Sequence, residues 1–90
     1  MIVSKNKVIS LFKKKTSIRL TEIEWRILDN ICYKEKMHRN ILLELIYIKH
    51  NSDIGFTSSV RLFSLLYLYK CAQKNIGKGV SIEKVLKNLQ

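Results

Sequence analysis

Lys15, Ser17 and Arg19 stand at alternate positions near the N-terminus, and each side chain can donate hydrogen bonds to oxygen acceptors. Alternate residues of a β-strand point to the same side, so these three would share one face, opposite Ile18 and Leu20. The arginine fork matches O6 and N7 of guanine, which is the commonest specific contact to a base edge. The alternative is an exposed arginine on a solvated strand with no ligand. The spacing therefore predicts a strand whose polar face is suited to contacts with a nucleic acid.

Lys13 and Lys14 precede that strand and extend its positive charge. As flexible point charges they would contribute salt-dependent affinity for phosphates rather than sequence preference, or they are simply a solvated run. The whole chain has 17 Lys and Arg against 7 Asp and Glu, and residues 1–20 contain no acidic residue. Such an excess favours a polyanionic partner, either nucleic acid or an anionic membrane surface, over the alternative of a basic surface that serves solubility.

The strand runs directly into a predicted helix. Thr21 is a suitable N-cap, and Glu24 follows three residues later, which is the pattern of a capping box. The helix is expected to end near Lys34. Its apolar residues recur at helical spacing: Ile23, Ile27, Leu28, Ile31 and Cys32.

No later segment has a clear strand pattern, so the strand at residues 16–20 lacks an evident mate. Unpaired strand edges are disfavoured, and the simplest partner is the same strand from a second copy around a two-fold axis. A two-stranded basic ribbon of that kind fits the major groove of DNA. In the basic arm at residues 1–15, an apolar group leaves open either a short strand or an arm: Val8, Ile9, Leu11 and Phe12.

Three further helices are expected. The second covers roughly Arg39 to Lys49 and is apolar on nearly every side, which predicts burial on most sides and suggests a dimer core. The third starts near Thr57 or Ser58 and runs to about Lys74. A turn is expected at Gly77 and Gly79, and Ser81 should cap a short final helix, Ile82 to Leu89.

Catalysis, metal binding and cofactor binding are not expected. No nucleophile–base pair, glycine-rich phosphate loop or carboxylate cluster is evident, so the sequence does not predict an enzyme. His38 and His50 lack further ligands at metal spacing and are interpreted as surface or capping residues. Cys32 and Cys71 are interpreted as buried free thiols of a cytoplasmic protein. The apolar stretches are too short to span a bilayer.

Two sequence blocks resemble the ribbon-helix-helix family of DNA-binding proteins. The first is Thr16-Ser17-Ile18-Arg19-Leu20 followed by Trp25, and the second is Phe56-Thr57-Ser58-Ser59-Val60-Arg61-Leu62-Phe63. The second block is similar to one branch, in which a third helix follows a Ser-Ser element. Trp25 itself is interpreted as an anchor of the core or of a subunit interface.

The resemblance implies a dimer with an intermolecular antiparallel ribbon in the major groove. The base contacts would then come from Lys15, Ser17 and Arg19. In that family the N-terminus of the second helix also holds a phosphate, and the matching residues are His38, Arg39 and Asn40. Lys36 and His38 stand where the family commonly has a glycine and a small N-capping residue.

The expected fold is mainly α and of the ribbon-helix-helix class, with one short N-terminal strand paired across a homodimer and three to four helices after it. Residues 1–15 form a basic arm, 16–74 the ribbon-helix-helix domain with its third helix, and 75–90 a short C-terminal helix. The expected function is a homodimeric, sequence-specific protein that binds double-stranded DNA as a transcriptional regulator. The alternatives are an interaction scaffold that binds a protein partner or an anionic membrane surface, and an antitoxin-type autorepressor.

Overall fold

The computed structural model describes residues 3–73 and 81–89. These form two strands followed by four helices: β1 (Ser4–Leu11), β2 (Lys14–Thr21), α1 (Glu22–Glu35), α2 (Arg39–Lys49), α3 (Phe56–Gln73) and α4 (Ile82–Lys87). Residues Met1–Leu45 and Ile46–Gln90 make two compact units. The predicted mainly α class, with β-structure at the N-terminus followed by helices, is confirmed, whereas pairing across a homodimer stays a prediction.

The mate of β2 lies in the same chain. β1 pairs with it in antiparallel register from Ser4 opposite Thr21 to Leu11 opposite Lys14. The ladder continues one step further, where the N–H of Glu22 donates to the carbonyl oxygen of Val3 at 3.0 Å. The expectation that β2 has no partner strand in its own chain is therefore wrong, and the basic arm at residues 1–15 contributes a full strand.

A two-residue turn, Phe12-Lys13, joins the strands. Both residues have positive φ angles, 50° and 67°, as a type I′ hairpin turn requires. Such turns favour Asn-Gly because residues other than Gly, Asn and Asp are strained at positive φ. The Phe12 N–H donates to Glu44 Oε2 at 2.8 Å, which attaches the turn to α2.

The hairpin has one buried and one exposed face. Ile9, Leu11, Ile18 and Leu20 are buried, and α1 contacts β2. This burial confirms the alternation predicted for residues 16–20. Apolar side chains at every second position of the strand remove one face of the hairpin from water.

The predicted N-terminus of α1 is confirmed. The Glu24 N–H donates to the Thr21 hydroxyl, and the Thr21 N–H donates to the Glu24 carboxylate, which completes the capping box. At the other end, Lys36 has a left-handed conformation with φ 55°. A glycine is preferred at such a position since it has no Cβ, so Lys36 adopts a conformation that is unfavourable for a lysine.

α2 has the predicted bounds but not the predicted burial. Leu42, Leu43 and Ile46 are buried, whereas Ile41 and Ile48 are exposed. Within one chain the helix thus has a buried side and an apolar exposed side. The expectation that it is buried on most sides is wrong for the single chain.

The second unit shows what the Ser-Ser element does. Ser59 is fully buried; its hydroxyl donates to the Gly55 carbonyl oxygen at 2.8 Å and accepts from the Asn51 N–H at 3.3 Å. Gly55 has φ 85°, a conformation that glycine tolerates. Ser59 therefore fixes the loop from which α3 begins at Phe56, close to the predicted start.

Ser81 caps α4 as predicted, with its side chain accepting from the Lys84 N–H. α4 packs on α3 and buries Val85, Leu86 and Leu89. The predicted end of α3 at Lys74 and the turn at Gly77 and Gly79 lie outside the described residues.

In the described ranges, no helix is both long and apolar enough to cross a membrane. Both cysteines are free thiols: Cys32 is buried as predicted, and Cys71 is half-buried.

Candidate nucleic-acid interface

The predicted base-contacting residues lie together on the solvent side of the hairpin. Lys15, Ser17 and Arg19 are all exposed, on the face opposite the buried Ile18 and Leu20. Backbone alternation along β2 places them there, because consecutive side chains point to opposite sides of a strand. β1 pairs with β2 edge to edge and leaves this face uncovered.

β1 adds a second row of side chains to the same face. Asn6 stands opposite Arg19, Val8 opposite Ser17, and Ser10 opposite Lys15. All of these β1 residues are exposed. Sequence reasoning missed this row because Val8 is as apolar as the buried Ile9, which hides the alternation. The signal that could have found it was Ile9 and Leu11 alternating with Ser10.

A hydrogen bond connects the two rows. The Ser17 hydroxyl donates to Asn6 Oδ1 at 2.9 Å. A hydroxyl has one proton and two lone pairs, so the Ser17 oxygen is left to accept hydrogen bonds while the Asn6 amide group donates them. The pair therefore has a defined donor–acceptor polarity toward any ligand on this face.

Lys13 and Lys14 lie at the tip of the hairpin and are exposed. Lys13 is the second residue of the turn, and Lys14 begins β2. Lys15 lies on the outward face itself, whereas Lys14 has the register of Ile18 and Leu20, so the three consecutive ammonium groups surround the tip of the hairpin. Such a cluster attracts phosphate groups without a preference for base sequence.

The residues expected to bind phosphate at the start of α2 have different environments. His38 and Asn40 are exposed, and the Leu42 N–H donates to the His38 carbonyl oxygen at 3.1 Å, which makes His38 the N-cap. Arg39 is half-buried. Its Nη1 lies 3.1 Å from Asp29 Oδ1, and its Cζ lies 5.2 Å from the centre of the Trp25 ring. The structure thus places Arg39 in contacts with α1.

Trp25 is the centre of that group. It is 2% exposed, and its indole N–H donates to the Lys5 carbonyl oxygen at 3.0 Å. The Lys7 ammonium lies 5.1 Å from the ring centre, within the range of a cation–π contact. Trp25 therefore joins β1, α1 and the first turn of α2, and its predicted role as a core anchor is confirmed.

A shallow cleft of about 450 Å³ lies at the C-terminal end of α1 and is lined by Asp29, Cys32, Tyr33, Lys36, Met37 and His38. Burial, together with the Asp29 carboxylate, raises the pKa of the Cys32 thiol, which favours its neutral form. Among the described residues, no group of His, Cys, Asp and Glu could hold a metal ion.

A family model described as the ribbon-helix-helix domain matches residues 4–68. The chain belongs to the ribbon-helix-helix domain family. The match starts with β1 and ends within α3, so the hairpin, α1, α2 and most of α3 lie inside the family domain. Ribbon-helix-helix proteins are generally DNA-binding transcription regulators that bind DNA as dimers, and the fold is not enzymatic. No curated protein and no solved structure matches the chain significantly.

Proposed function

We propose that this ribbon-helix-helix protein is a homodimeric, sequence-specific DNA-binding protein that regulates transcription. The observation that supports this most is the outward face of the hairpin, where Lys15, Ser17 and Arg19 are exposed beside a basic turn. In the alternative, an interaction scaffold, the N-terminal arm would cover this face, and the three side chains would be unavailable for binding DNA.

The second copy is proposed to pair along β2. Leu11 and Lys14 close the turn, so even-numbered residues of β2 direct their backbone groups toward β1. Lys15 and Ser17 direct theirs toward the opposite edge, along which no other strand of the described residues lies. Pairing of two β2 strands around a two-fold axis satisfies that edge and joins two hairpins into one sheet.

The exposed side of α2 provides a further reason for a dimer. Ile41, Leu45 and Ile48 recur at helical spacing, and the two isoleucines are exposed in the single chain. A second copy is the simplest cover for such a stripe, since burial of apolar area stabilises the association.

In the complex, Lys15, Ser17 and Arg19 contact base edges, and Arg19 takes the guanine contact. Lys13 and Lys14 contact phosphates near the tip of the hairpin. His38, Arg39 and Asn40 at the start of α2 contact a further phosphate through the helix N-terminus, for which Arg39 has to exchange its Asp29 partner.

Sedimentation of the purified chain tests the dimer. At micromolar concentration we expect twice the chain mass, because the β2 edge and the α2 stripe both require a partner. Ile18→Asp should unfold the protein as well as dissociate it, since it puts a charge among buried side chains. A well-folded monomer of the unaltered chain would contradict the ribbon. Selection of duplexes from a random library then tests sequence-specific binding.

The alternative, an interaction scaffold, is favoured by one other observation. Leu65, Leu68 and Tyr69 on α3 are exposed apolar residues, and clustered apolar residues often mark protein–protein contacts. Absence of duplex binding at low salt, combined with dimer formation, would favour this alternative. An antitoxin-type autorepressor is a special case of the DNA-binding proposal in which a toxin is the protein partner.

A further inference from the structure

We infer that Val8 is a specificity-determining residue that contacts the 5-methyl group of thymine in the major groove. This inference rests on the proposed DNA-binding function and adds a contact from β1 to those of β2.

Val8 differs from every neighbour on the outward face. It is 66% exposed, directly opposite Ser17 and between Asn6 and Ser10 in its own strand. The apolar side chains on the other face of β1, Ile9 and Leu11, are 5% and 3% exposed. Val8 therefore adds nothing to the core of its own chain and presents both methyl groups to whatever lies against the polar face.

The position of β1 in the proposed dimer brings Val8 to the side of the groove. Neighbouring strands lie about 4.8 Å apart, so two central β2 strands place each β1 roughly 7 Å from the two-fold axis. The major groove is about 12 Å wide, and its walls therefore lie roughly 6 Å from that axis. At that distance β1 would run along the wall of the groove, so an outward side chain of β1 would face the outer edge of the bases beside the sugar–phosphate strand, whereas Ser17 would face the groove floor.

Thymine is the base whose apolar group lies there. Its methyl group is on C5, on the side of the ring that faces the major groove close to its own sugar–phosphate strand, whereas cytosine has only hydrogen at C5. A valine among polar side chains suits this methyl group, because removing the two apolar surfaces from water stabilises the contact. Removal of one such methyl group should weaken binding about fourfold.

The test uses the full chain and duplexes that it selects from a random library. Thymines of a selected duplex are replaced one at a time by deoxyuridine, which removes the methyl group and leaves base pairing intact. Dissociation constants are measured for the unaltered protein, Val8→Ala and Val8→Thr. Val3→Ala is the matched control. Val3 is also exposed, at 50%, but strand alternation places it on the side of Ile9 and Leu11, opposite to Val8.

For the unaltered protein and Val3→Ala, we expect deoxyuridine at one position of a half-site to weaken binding about fourfold. Val8→Ala should bind the thymine and deoxyuridine duplexes equally. Val8→Thr keeps the branched Cβ suited to a strand but has one methyl group fewer, so its discrimination should fall between the two. Circular dichroism and thermal unfolding should match among the variants, since Val8 is exposed.

An equal deoxyuridine penalty with and without Val8 would overturn the inference, and so would the lack of a penalty at every thymine. In both cases selection of specific duplexes would have succeeded, and the proposed DNA-binding function would stand. Failure to select or bind any duplex would instead overturn the proposed function together with this contact.

Discussion

The outward face of the hairpin and the start of α2 are both predicted from the sequence to contact DNA, yet the side chains of the two regions have different surroundings. On the hairpin, Lys15, Ser17 and Arg19 are exposed to solvent. At the start of α2, Arg39 is paired with Asp29 and lies against Trp25, with a side chain only 32% exposed. Two arginines in one small domain thus differ in exposure and in their packing against α1.

The difference shows that residue type and position alone do not define a binding site. The planar guanidinium of Arg39 is suited both to a phosphate and to a carboxylate with an aromatic ring, and in this chain Asp29 and Trp25 are within its reach. Its Nε is buried without a hydrogen-bond partner among the described residues. We therefore interpret Arg39 first as a link between α1 and α2, and the hairpin face as the stronger candidate for sequence recognition.

The largest effect should come from Trp25→Ala, which removes the centre of the α2 contacts. Truncation of a buried tryptophan costs about 3–5 kcal/mol of the free energy of unfolding. Here it also removes the partner of the Lys5 carbonyl and the ring beneath Arg39. Urea unfolding measures the change, with Tyr33→Ala on the same helix as control because Tyr33 is 86% exposed. If the free energy of unfolding decreases no more than in the control, Trp25 does not stabilise the contacts between β1, α1 and the start of α2.

A smaller effect, confined to binding, is expected on the hairpin. Arg19→Ala should cost about 1–3 kcal/mol on a selected duplex and relax the preference at one base position. Lys13→Ala should instead weaken all sequences alike and lower the slope of the salt dependence by about one unit, because one phosphate is no longer neutralised. The reason is geometric, since a planar fork matches guanine whereas an ammonium group matches any phosphate.

Binding curves at several salt concentrations on selected and random duplexes separate these two residues. Arg26→Ala is a suitable control, because Arg26 is exposed but lies on α1 and pairs with Glu22. If Arg19→Ala and Lys13→Ala lower the affinity equally on both kinds of duplex, the hairpin binds polyanions without sequence preference.

The smallest effect is expected for Asp29→Asn, which removes the α1 partner of Arg39. The pair with Arg39 is partly exposed, so breaking it should cost less than about 1 kcal/mol of stability. Duplex affinity at low salt should rise at the same time, because Arg39 is released and a negative charge next to the helix N-terminus is removed. Glu83→Gln on α4 removes the same charge elsewhere. If Asp29→Asn improves binding no more than this control does, Arg39 does not contact phosphate.

Local patterns make the helices predictable. The capping box of Thr21 and Glu24 involves residues three apart, and Ser81 caps α4 in a similar way, so neither depends on the rest of the fold. The face of Ser17 and Arg19 is predictable for the same reason, since strand alternation fixes it.

The hairpin partner is not predictable from comparable signals. Its turn contains Phe12 and Lys13 in place of Asn-Gly, and the conformation of the turn depends on contacts such as that with Glu44, 32 residues away. The pairing of Arg39 with Asp29 likewise depends on how α1 and α2 pack. The predicted burial of α2 is too high because an apolar composition shows what has to be covered but not whether the same chain covers it.

The turn at Phe12-Lys13 has a cost in stability that bears on the proposed recognition of a polyanion. A non-glycine residue in the left-handed region costs about 1–2 kcal/mol, and both turn residues have this conformation. Glycine at position 13 would relieve part of that strain, but it would remove an ammonium group from the tip of the hairpin. Selection for thermostability alone would therefore be expected to replace Lys13, and selection for attraction to a polyanion would be expected to retain it.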